Sequence, residues 1–354
     1  MIIDLLKVFV PSVIAFWVGI AIAPLLTHYL YKYRVWKKQP GKRTLDGQVA
    51  VEFERLHGET ETKTPRMGGI LVWASVILTI ALLWALQYIF PNSSTTKLLF
   101  LSRSQTWIPF TTLILGSLVG LINDILDVVD RNGEKGIPLR IRLLFVAVLS
   151  FCIGWWFYAK LDITSISMPF GDPLYIGWLV IPFFMLVSLF LYASGVIDGI
   201  DGLSGAVFAS IFTAYAFIAF HQNQIDLAAF CATIVGALLA FLWFNVPPAR
   251  FWMTETGTMG LTLTVAAIAF MTDTLGEGRG LPALPIIAFL LVVTVLSNII
   301  QVFSKKVFKK KVFKIAPLHH HFEAIGWPGS KVTMRYWILS IIFAILGVSL
   351  ALLS

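Results

Sequence analysis

The sequence has few cysteines and few charged side chains. Its 354 residues include two cysteines, Cys152 and Cys231, and both lie in apolar runs, which excludes a disulfide framework and a cysteine metal site. Charged residues make up only 13% of the chain, whereas 58% of the residues are hydrophobic. So few polar side chains cannot cover a water-soluble globule of this size. The composition therefore predicts a membrane protein.

Long polar stretches are missing as well, because the gaps between apolar segments reach only roughly thirty residues, too few for a separate soluble domain. A membrane-spanning helix needs about 20 mostly apolar residues. Ten segments meet this requirement: 8 to 31, 68 to 90, 108 to 129, 141 to 160, 174 to 194, 203 to 220, 226 to 244, 257 to 275, 284 to 304 and 335 to 353. The predicted fold is a single all-α domain over residues 1 to 354, a polytopic membrane protein with about ten transmembrane helices.

The basic residues are distributed unevenly between the two sides of the predicted bundle. All but five of the 27 lysines and arginines fall in loops that follow odd-numbered helices; the exceptions are Lys7, Lys97, Arg103, Lys160 and Arg279. Because positive residues favour the cytoplasmic side, the odd loops are expected in the cytoplasm and both termini on the extracytoplasmic side. The net charge of +8 suits anionic lipid headgroups and phosphorylated ligands. Nucleic acid is a weaker partner, since the cations sit in short loops beside the bilayer.

The first odd loop contains LHGETETKTPRMGG, residues 56 to 69. Lys63 and Arg66 flank Pro65, just before a glycine pair, so two cations and an irregular backbone are available to a phosphate group. The alternative is that the same cations only anchor the loop on the cytoplasmic side.

The third predicted helix ends in GLINDILDVVD, residues 120 to 130. Asp124 and Asp127 are three residues apart and share a helix face, and Asn123 precedes them. Carboxylates are disfavoured both at a helix C-terminus and close to hydrocarbon. That cost indicates a functional role, such as holding a divalent cation, although a solvated helix end remains an alternative.

Two further aspartates, Asp198 and Asp201, lie in SGVIDGIDGLSG, residues 194 to 205. Glycines allow a ligand to approach the backbone closely, and the carboxylates can bind a metal ion or ligand hydroxyl and imide groups. A plain turn would not need two acids in such an apolar setting.

The next odd loop reads FNVPPARFWMTETG, residues 244 to 257. It contains Asn245 and Trp252, two candidate substrate-binding residues, and Glu255 at the start of a predicted helix. A carboxylate there complements the helix dipole, so capping alone also explains Glu255.

Three consecutive histidines, His319, His320 and His321, follow a stretch with six lysines between 305 and 314. Adjacent side chains point in different directions on a helix, so they are not expected to share one metal ion. Beside so many lysines they suit phosphate oxygens, and one of them can transfer a proton.

The candidate acids and bases are thus expected on one membrane face. Acids there could hold a divalent cation and the basic residues could hold phosphates, a combination that suits phosphoryl transfer. The expected active site occupies loops 32 to 67, 123 to 142, 195 to 203, 245 to 257 and 305 to 335. The expected catalytic residues are Asp124, Asn123, Asp198, Glu255 and His320, with Glu255, Asp198 and Asp124 as metal ligands. The expected substrate-binding residues are Lys63, Arg66, Asp127, Asp201, Asn245, Trp252, His319 and His321.

These motifs, in this order and spacing, resemble the polyprenyl-phosphate N-acetylhexosamine-1-phosphate transferase superfamily. The stretch APLHHHFEAIGW, residues 316 to 327, resembles the branch of it that handles muramyl-pentapeptide. The resemblance implies a Mg²⁺-dependent enzyme of peptidoglycan synthesis in the bacterial cytoplasmic membrane. Its substrates would be UDP-MurNAc-pentapeptide and undecaprenyl phosphate, and its products lipid I and UMP. A homodimer is an open alternative to a monomer.

The chain also departs from the family pattern. Asn123-Asp124 replaces paired aspartates, Asp127 stands where a lysine is expected, and the Thr254-Glu255 pair replaces glycine and aspartate. Three alternatives therefore stay open: transfer of GlcNAc-1-phosphate or a related sugar phosphate, an inactive homologue, and an ion-coupled transporter. A transporter would place its acids near the bilayer midplane, whereas these acids cluster at helix ends.

Overall fold

The computed structural model describes residues 2–37, 51–102, 105–129, 136–276 and 278–353. Parts of two loops expected in the active site, 38–50 and 130–135, lie outside these residues. The described chain is mainly helical, as long apolar runs require, because a backbone in lipid must satisfy its own hydrogen bonds. The helices are α1 (Ile2–Lys32), α2 (Val51–Glu61), α3 (Ile70–Ile89), α4 (Ser93–Leu98), α5 (Trp107–Val129), α6 (Leu139–Lys160), α7 (Val180–Ala193), α8 (Leu203–His221), α9 (Ile225–Asn245), α10 (Glu255–Met271), α11 (Gly280–Ile287), α12 (Phe289–Val307), α13 (Leu318–Ala324) and α14 (Gly329–Leu352).

Nine helical segments of the described chain are long and apolar enough to span a membrane, and each coincides with a predicted span. This confirms a multi-pass membrane protein. The remaining predicted span, 257 to 275, corresponds to α10, a shorter apolar helix of 17 residues. Every residue from Thr256 to Met271 is buried among neighbouring helices, so α10 does not need the length of a lipid-facing helix.

Several local features differ from the sequence prediction. The span predicted at 284 to 304 is two helices, α11 and α12, separated at Ala288, and Pro285 lies in the last turn of α11, where it removes a backbone donor. The all-α prediction also missed a small antiparallel hairpin, in which Ser165 pairs with Tyr175 and Ile166 with Leu174. The short helices α2, α4 and α13 were missed because they are too short and too polar to give an apolar signal.

Small residues bring the central helices close together. A Cβ atom on Gly120 of α5 would lie 2.0 Å from the carbonyl oxygen of Glu255, and one on Gly116 would lie 2.8 Å from the Cα of Gly260 in α10. Such spacing of small residues is typical of helices that pack in a membrane. Because α5 lies against the start of α10, the residue one turn after Gly120, Asp124, reaches the loop that precedes α10.

Loops that follow odd-numbered predicted spans meet at one end of the bundle. Gly68 and Gly69 donate backbone hydrogen bonds to the carbonyls of Trp252 (2.7 Å) and Met253 (3.1 Å). The backbone oxygen of Asp201 accepts one from the hydroxyl of Thr333 (2.9 Å). The other loops pair at the opposite end, where Asp273 accepts from the backbone of Ser167.

Candidate active site

Asp124 is the buried centre of the polar cluster at the end of α5. Its side chain is inaccessible to solvent. Its Oδ2 accepts hydrogen bonds from the hydroxyl of Thr254 (2.5 Å), and from the backbone nitrogen (2.8 Å) and hydroxyl (2.6 Å) of Thr256. Its Oδ1 accepts one from Arg66 (3.2 Å). A buried carboxylate is tolerable only when it is paired and hydrogen-bonded in this way.

Arg66 links the two aspartates of α5. Its Nη2 contacts Asp124, and its Nη1 lies 3.0 Å from Oδ2 of Asp127. Burial alone would lower the pKa of Arg66, but the charges of Asp124 and Asp127 outweigh it, so the pKa is raised. Arg66 was expected to bind a phosphate. The structure places it in a charge network with Asp124 and Asp127, and its Nε has no hydrogen-bond partner among the described residues.

Asn123, at the same end of α5, contacts the segment that leads into α6. Its Oδ1 accepts a hydrogen bond from the backbone nitrogen of Ile137 (2.9 Å), at the start of the segment that leads into α6. Gly136, which has a φ of +60°, lies against the same oxygen, and a Cβ there would be 2.7 Å away. Asn123 therefore holds the entry of α6 against the end of α5.

Glu255 begins α10 and pairs with Arg142 of α6, whose Nη1 contacts Oε1 of the carboxylate. Its second oxygen, Oε2, is buried and accepts no hydrogen bond from the described residues. The positive end of the α10 dipole also stabilises a carboxylate at this position. Glu255 thus offers one oxygen for a further ligand.

Asp198 reaches the same loop from the segment after α7. Its Oδ1 accepts a hydrogen bond from the hydroxyl of Ser204 (2.6 Å), and its Oδ2 accepts one from the backbone nitrogen of Thr254 (2.7 Å). Thr254 has a φ of +54° and a ψ of −167°, a conformation that costs a β-branched residue on the order of 1–3 kcal/mol. The contacts to Asp124 and Asp198 hold Thr254 in that strained backbone.

Hydrogen bonds of Asp201, Asn245 and Trp252 connect the aspartate loop before α8 with the loop between α9 and α10. Asp201 accepts hydrogen bonds from the indole nitrogen of Trp252 (2.8 Å) and the backbone of Ala249 (3.0 Å). Asn245 accepts from the backbone of Gly202 (2.9 Å) and donates to the carbonyl of Phe251 (2.8 Å). These three expected substrate-binding residues fix the loop between α9 and α10 against the start of α8.

The three histidines occupy different environments, as the sequence predicts for adjacent side chains on the helix α13. His319 is fully buried, and a Cβ on Gly199 would lie 2.7 Å from its Nε2. His320 contacts Glu323, with 2.8 Å between Nδ1 and Oε2. His321 accepts a hydrogen bond from the backbone of Lys314 (3.2 Å). Gly199 lies between Asp198 and Asp201, so the histidine helix borders the aspartate loop.

Most of the expected site residues are therefore joined in the structure. Asp124, Asp198 and Glu255 converge on residues 254 to 256, and Arg66 and Asp127 belong to the same network. Lys63 is exposed on the first loop. The predicted site residues do not include Arg142, Thr254, Glu323 or His57, whose Nε2 lies 3.0 Å from Oε2 of Glu323. Two of them gave a signal in the sequence. Thr254 departs from the resembled pattern, and Glu323 follows His320 by three residues, a spacing that places both on one helix face.

The sequence comparisons agree with this site. Residues 106–273, which contain α5 to α10 and most of the acids, match the family model described as Glycosyl transferase family 4. The fold and the site thus define a multi-pass membrane transferase.

Relatives match almost the whole chain. Three phospho-N-acetylmuramoyl-pentapeptide-transferases are similar to it: those of Geobacillus sp. (strain WCH70), 32% identical, Geobacillus thermodenitrificans (strain NG80-2), 32% identical, and Anoxybacillus flavithermus (strain DSM 21510 / WK1), 31% identical. In each case the match covers 95% of this chain and 95% of the relative. The chain belongs to the phospho-N-acetylmuramoyl-pentapeptide-transferase family.

The carboxylates differ in how well they can hold a divalent cation. Both oxygens of Asp124 and of Asp198 already accept hydrogen bonds from the protein, whereas Oε2 of Glu255 does not. Among the described residues, Asp124, Asp198 and Glu255 do not form a group with ligand atoms all within 4.8 Å of one another. Magnesium commonly takes one or two carboxylates and completes its shell with substrate phosphates and water. The residues fit an ion held in that manner through Glu255.

Proposed function

We propose that this protein transfers phospho-MurNAc-pentapeptide from UDP-MurNAc-pentapeptide to undecaprenyl phosphate, forming lipid I and releasing UMP. The observation that carries the proposal is the similarity over 95% of the chain to transferases of that name. The site supports it, since acids and cations from five parts of the chain meet at one end of the bundle. That arrangement suits phosphoryl transfer, in which catalysis comes mainly from positioning and charge stabilisation.

In the proposed reaction, a phosphate oxygen of the lipid attacks the phosphorus on the sugar side of the UDP pyrophosphate. A new P–O bond forms, the bond to UMP breaks, and UMP leaves with the electron pair. A bound Mg²⁺ would neutralise charge on the pyrophosphate. The residues that border the reacting groups would be Glu255, Asp198 and the histidines of α13.

The side chains divide into two proposed roles. Glu255 keeps a free oxygen and is the residue proposed to hold the cation, with Arg142 fixing its orientation. Asp124 was expected to be a base or a metal ligand, but it is fully buried and accepts four hydrogen bonds. We assign it the positioning of Thr254 and Thr256. His320 is the best placed group for proton transfer, since Glu323 orients its ring.

The proposed topology puts this site at the cytoplasmic face of the bacterial inner membrane. It takes α10 as a tenth span and places both termini outside. The supporting observation is the concentration of lysines and arginines in the loops at the site end. A cytoplasmic site would also meet UDP-linked substrates on the side where nucleotides are made.

The test is UMP release by the purified full-length protein in detergent. The assay contains MgCl₂, undecaprenyl phosphate and either UDP-MurNAc-pentapeptide or UDP-GlcNAc. Release is expected with the muramyl nucleotide, and it should disappear in Glu255→Ala but persist in Asp172→Ala, which changes an exposed acid on the distant hairpin loop. Release with UDP-GlcNAc alone would assign the chain to another sugar, and no release with either nucleotide would contradict the proposal.

A further inference from the structure

A cluster of metal-ligating side chains lies beside the proposed active site. Nε2 of His57, on α2, is 3.0 Å from Oε2 of Glu323, and Nδ1 of His320 is 2.8 Å from the same oxygen. All three ligand atoms lie within 4.8 Å of one another. Within the described part of the chain, no other set of three His, Cys, Asp or Glu side chains meets that spacing.

The separations suit a small tetrahedral ion. Bonds of about 2.0–2.1 Å to nitrogen and oxygen place neighbouring ligand atoms of a tetrahedron roughly 3.3 Å apart. The distances from Oε2 of Glu323 to the two histidine nitrogens are slightly shorter, so a small outward movement of the two rings would admit an ion. His320 and Glu323 share one face of α13 because they are three residues apart, and His57 completes the set from another helix.

Burial and ligand type narrow the identity of the ion. The side chain of His320 is 3% exposed, that of Glu323 9% and that of His57 16%, so the site is sheltered but reachable from solvent. Two imidazole nitrogens and one carboxylate suit zinc or a similar borderline metal better than magnesium, which prefers oxygen. Three protein ligands leave a fourth position for water.

We propose that His57, His320 and Glu323 bind one transition-metal ion of the zinc class, at a site separate from the acids around Thr254. The inference goes beyond the proposed transfer reaction and does not require it. The ion would tie α2 to α13, and α2 is also held one turn after His57, where Glu61 pairs with Lys37 (3.1 Å). Nε2 of His320 faces Gly199, so the ion would fix a ring that borders the aspartate loop.

The test is zinc binding to the full-length protein, purified without a histidine tag and stripped with a chelator. Zn²⁺ is titrated in competition with a chromophoric chelator, in the absence of any substrate. We expect one tight site per chain, and binding weakened at least about tenfold in His57→Gln and in Glu323→Gln. His321→Ala is the matched control, since it removes a histidine of the same triplet outside the cluster, and it should bind as the unaltered protein does.

A second measurement separates loss of the ligand from loss of the fold. In the metal-free state His57→Gln should melt at the temperature of the unaltered protein, and added Zn²⁺ should raise Tm in the unaltered protein and in His321→Ala but not in His57→Gln. Co²⁺ should give the absorption of a four-coordinate ion in the same two proteins. Absence of a stoichiometric site, or equal weakening by His321→Ala and His57→Gln, would overturn the proposal and leave a hydrogen-bonded His-Glu-His cluster.

Discussion

The hydroxyl of Thr254 lies 2.5 Å from Oδ2 of Asp124, and Thr254 makes this contact from a backbone with a φ of +54°. The same hydroxyl also accepts a hydrogen bond from the backbone nitrogen of Met67 (3.1 Å). One side chain therefore joins α5, the first loop and the start of α10. Glycine would accept a positive φ at this position without strain.

Replacing Thr254 should separate strain from hydrogen bonding. Thr254→Val keeps the strained β-branched backbone but removes the hydroxyl, so Asp124 loses one of its four hydrogen bonds and the Met67 nitrogen loses its acceptor. It should lower the free energy of unfolding by about 1–3 kcal/mol. Thr254→Gly loses the same bonds but relieves the backbone, so it should cost less. Thermal unfolding in detergent measures both, and Thr254→Gly melting below Thr254→Val would contradict this account.

Gly120→Ala should disturb the site from a distance. The added methyl group would lie 2.0 Å from the carbonyl oxygen of Glu255, so α5 must move away from α10 and carry Asp124 with it. We expect a loss of about 1–3 kcal/mol in stability and a marked fall in UMP release. The control is Leu118→Ala on the same helix, because Leu118 is exposed toward lipid. Equal behaviour of the two variants would remove the helix contact as the cause.

Arg66→Met should be among the most damaging single changes. It leaves Asp124 buried without its cation, and removing one partner of a buried ion pair costs on the order of 3–5 kcal/mol. Asp127→Asn should cost less, since Asp127 is 13% exposed and its removal leaves Arg66 paired with Asp124. The two variants are compared by denaturation, and a larger effect for Asp127→Asn would show that Asp124 does not depend on Arg66.

Glu255→Gln should affect the metal dependence of turnover more than stability. The amide keeps the size of the side chain but loses the charge that faces Arg142 and the proposed cation. We expect the Mg²⁺ concentration for half-maximal UMP release to rise at least about tenfold, with Tm almost unchanged. A chelator should stop release in the unaltered protein, and added Mg²⁺ should restore it. An unaltered Mg²⁺ requirement in Glu255→Gln would remove Glu255 from the metal site.

The sequence predicted the helices that meet lipid better than the residues that pair inside the bundle. Nine spans are visible because a backbone in hydrocarbon must be both helical and apolar over a fixed length. The enclosed helix α10 and the break at Ala288 depend on neighbours, which hydropathy does not register. The short helices α2 and α13, which supply His57 and Glu323, are polar and carry no such signal.

The sequence predicts which residue types form the site and that they share one membrane face. It does not predict which of these residues contact one another. In the sequence Arg142 is only one of many basic residues on the side predicted to be cytoplasmic, yet it contacts Glu255, 113 residues away in sequence. The sequence predicts Arg66 as a phosphate ligand because it flanks Pro65 just before a glycine pair, and it gives no sign that Arg66 pairs with Asp124 and Asp127. Long-range partners of this kind depend on how α5, α6 and α10 pack, which a single sequence does not specify.

The contacts that several loops make with residues 252 to 256 also limit which substitutions this part of the chain can accept. That segment receives hydrogen bonds from the first loop, and its residues 254 and 256 are bound by Asp124 and Asp198. Because these residues contact one another, the effect of a substitution at one of them depends on which residues stand at the others. Of the positions that depart from the resembled pattern, 254 and 255 lie in this segment, and their contacts with Asp124, Asp198 and Arg142 limit which residues can stand there.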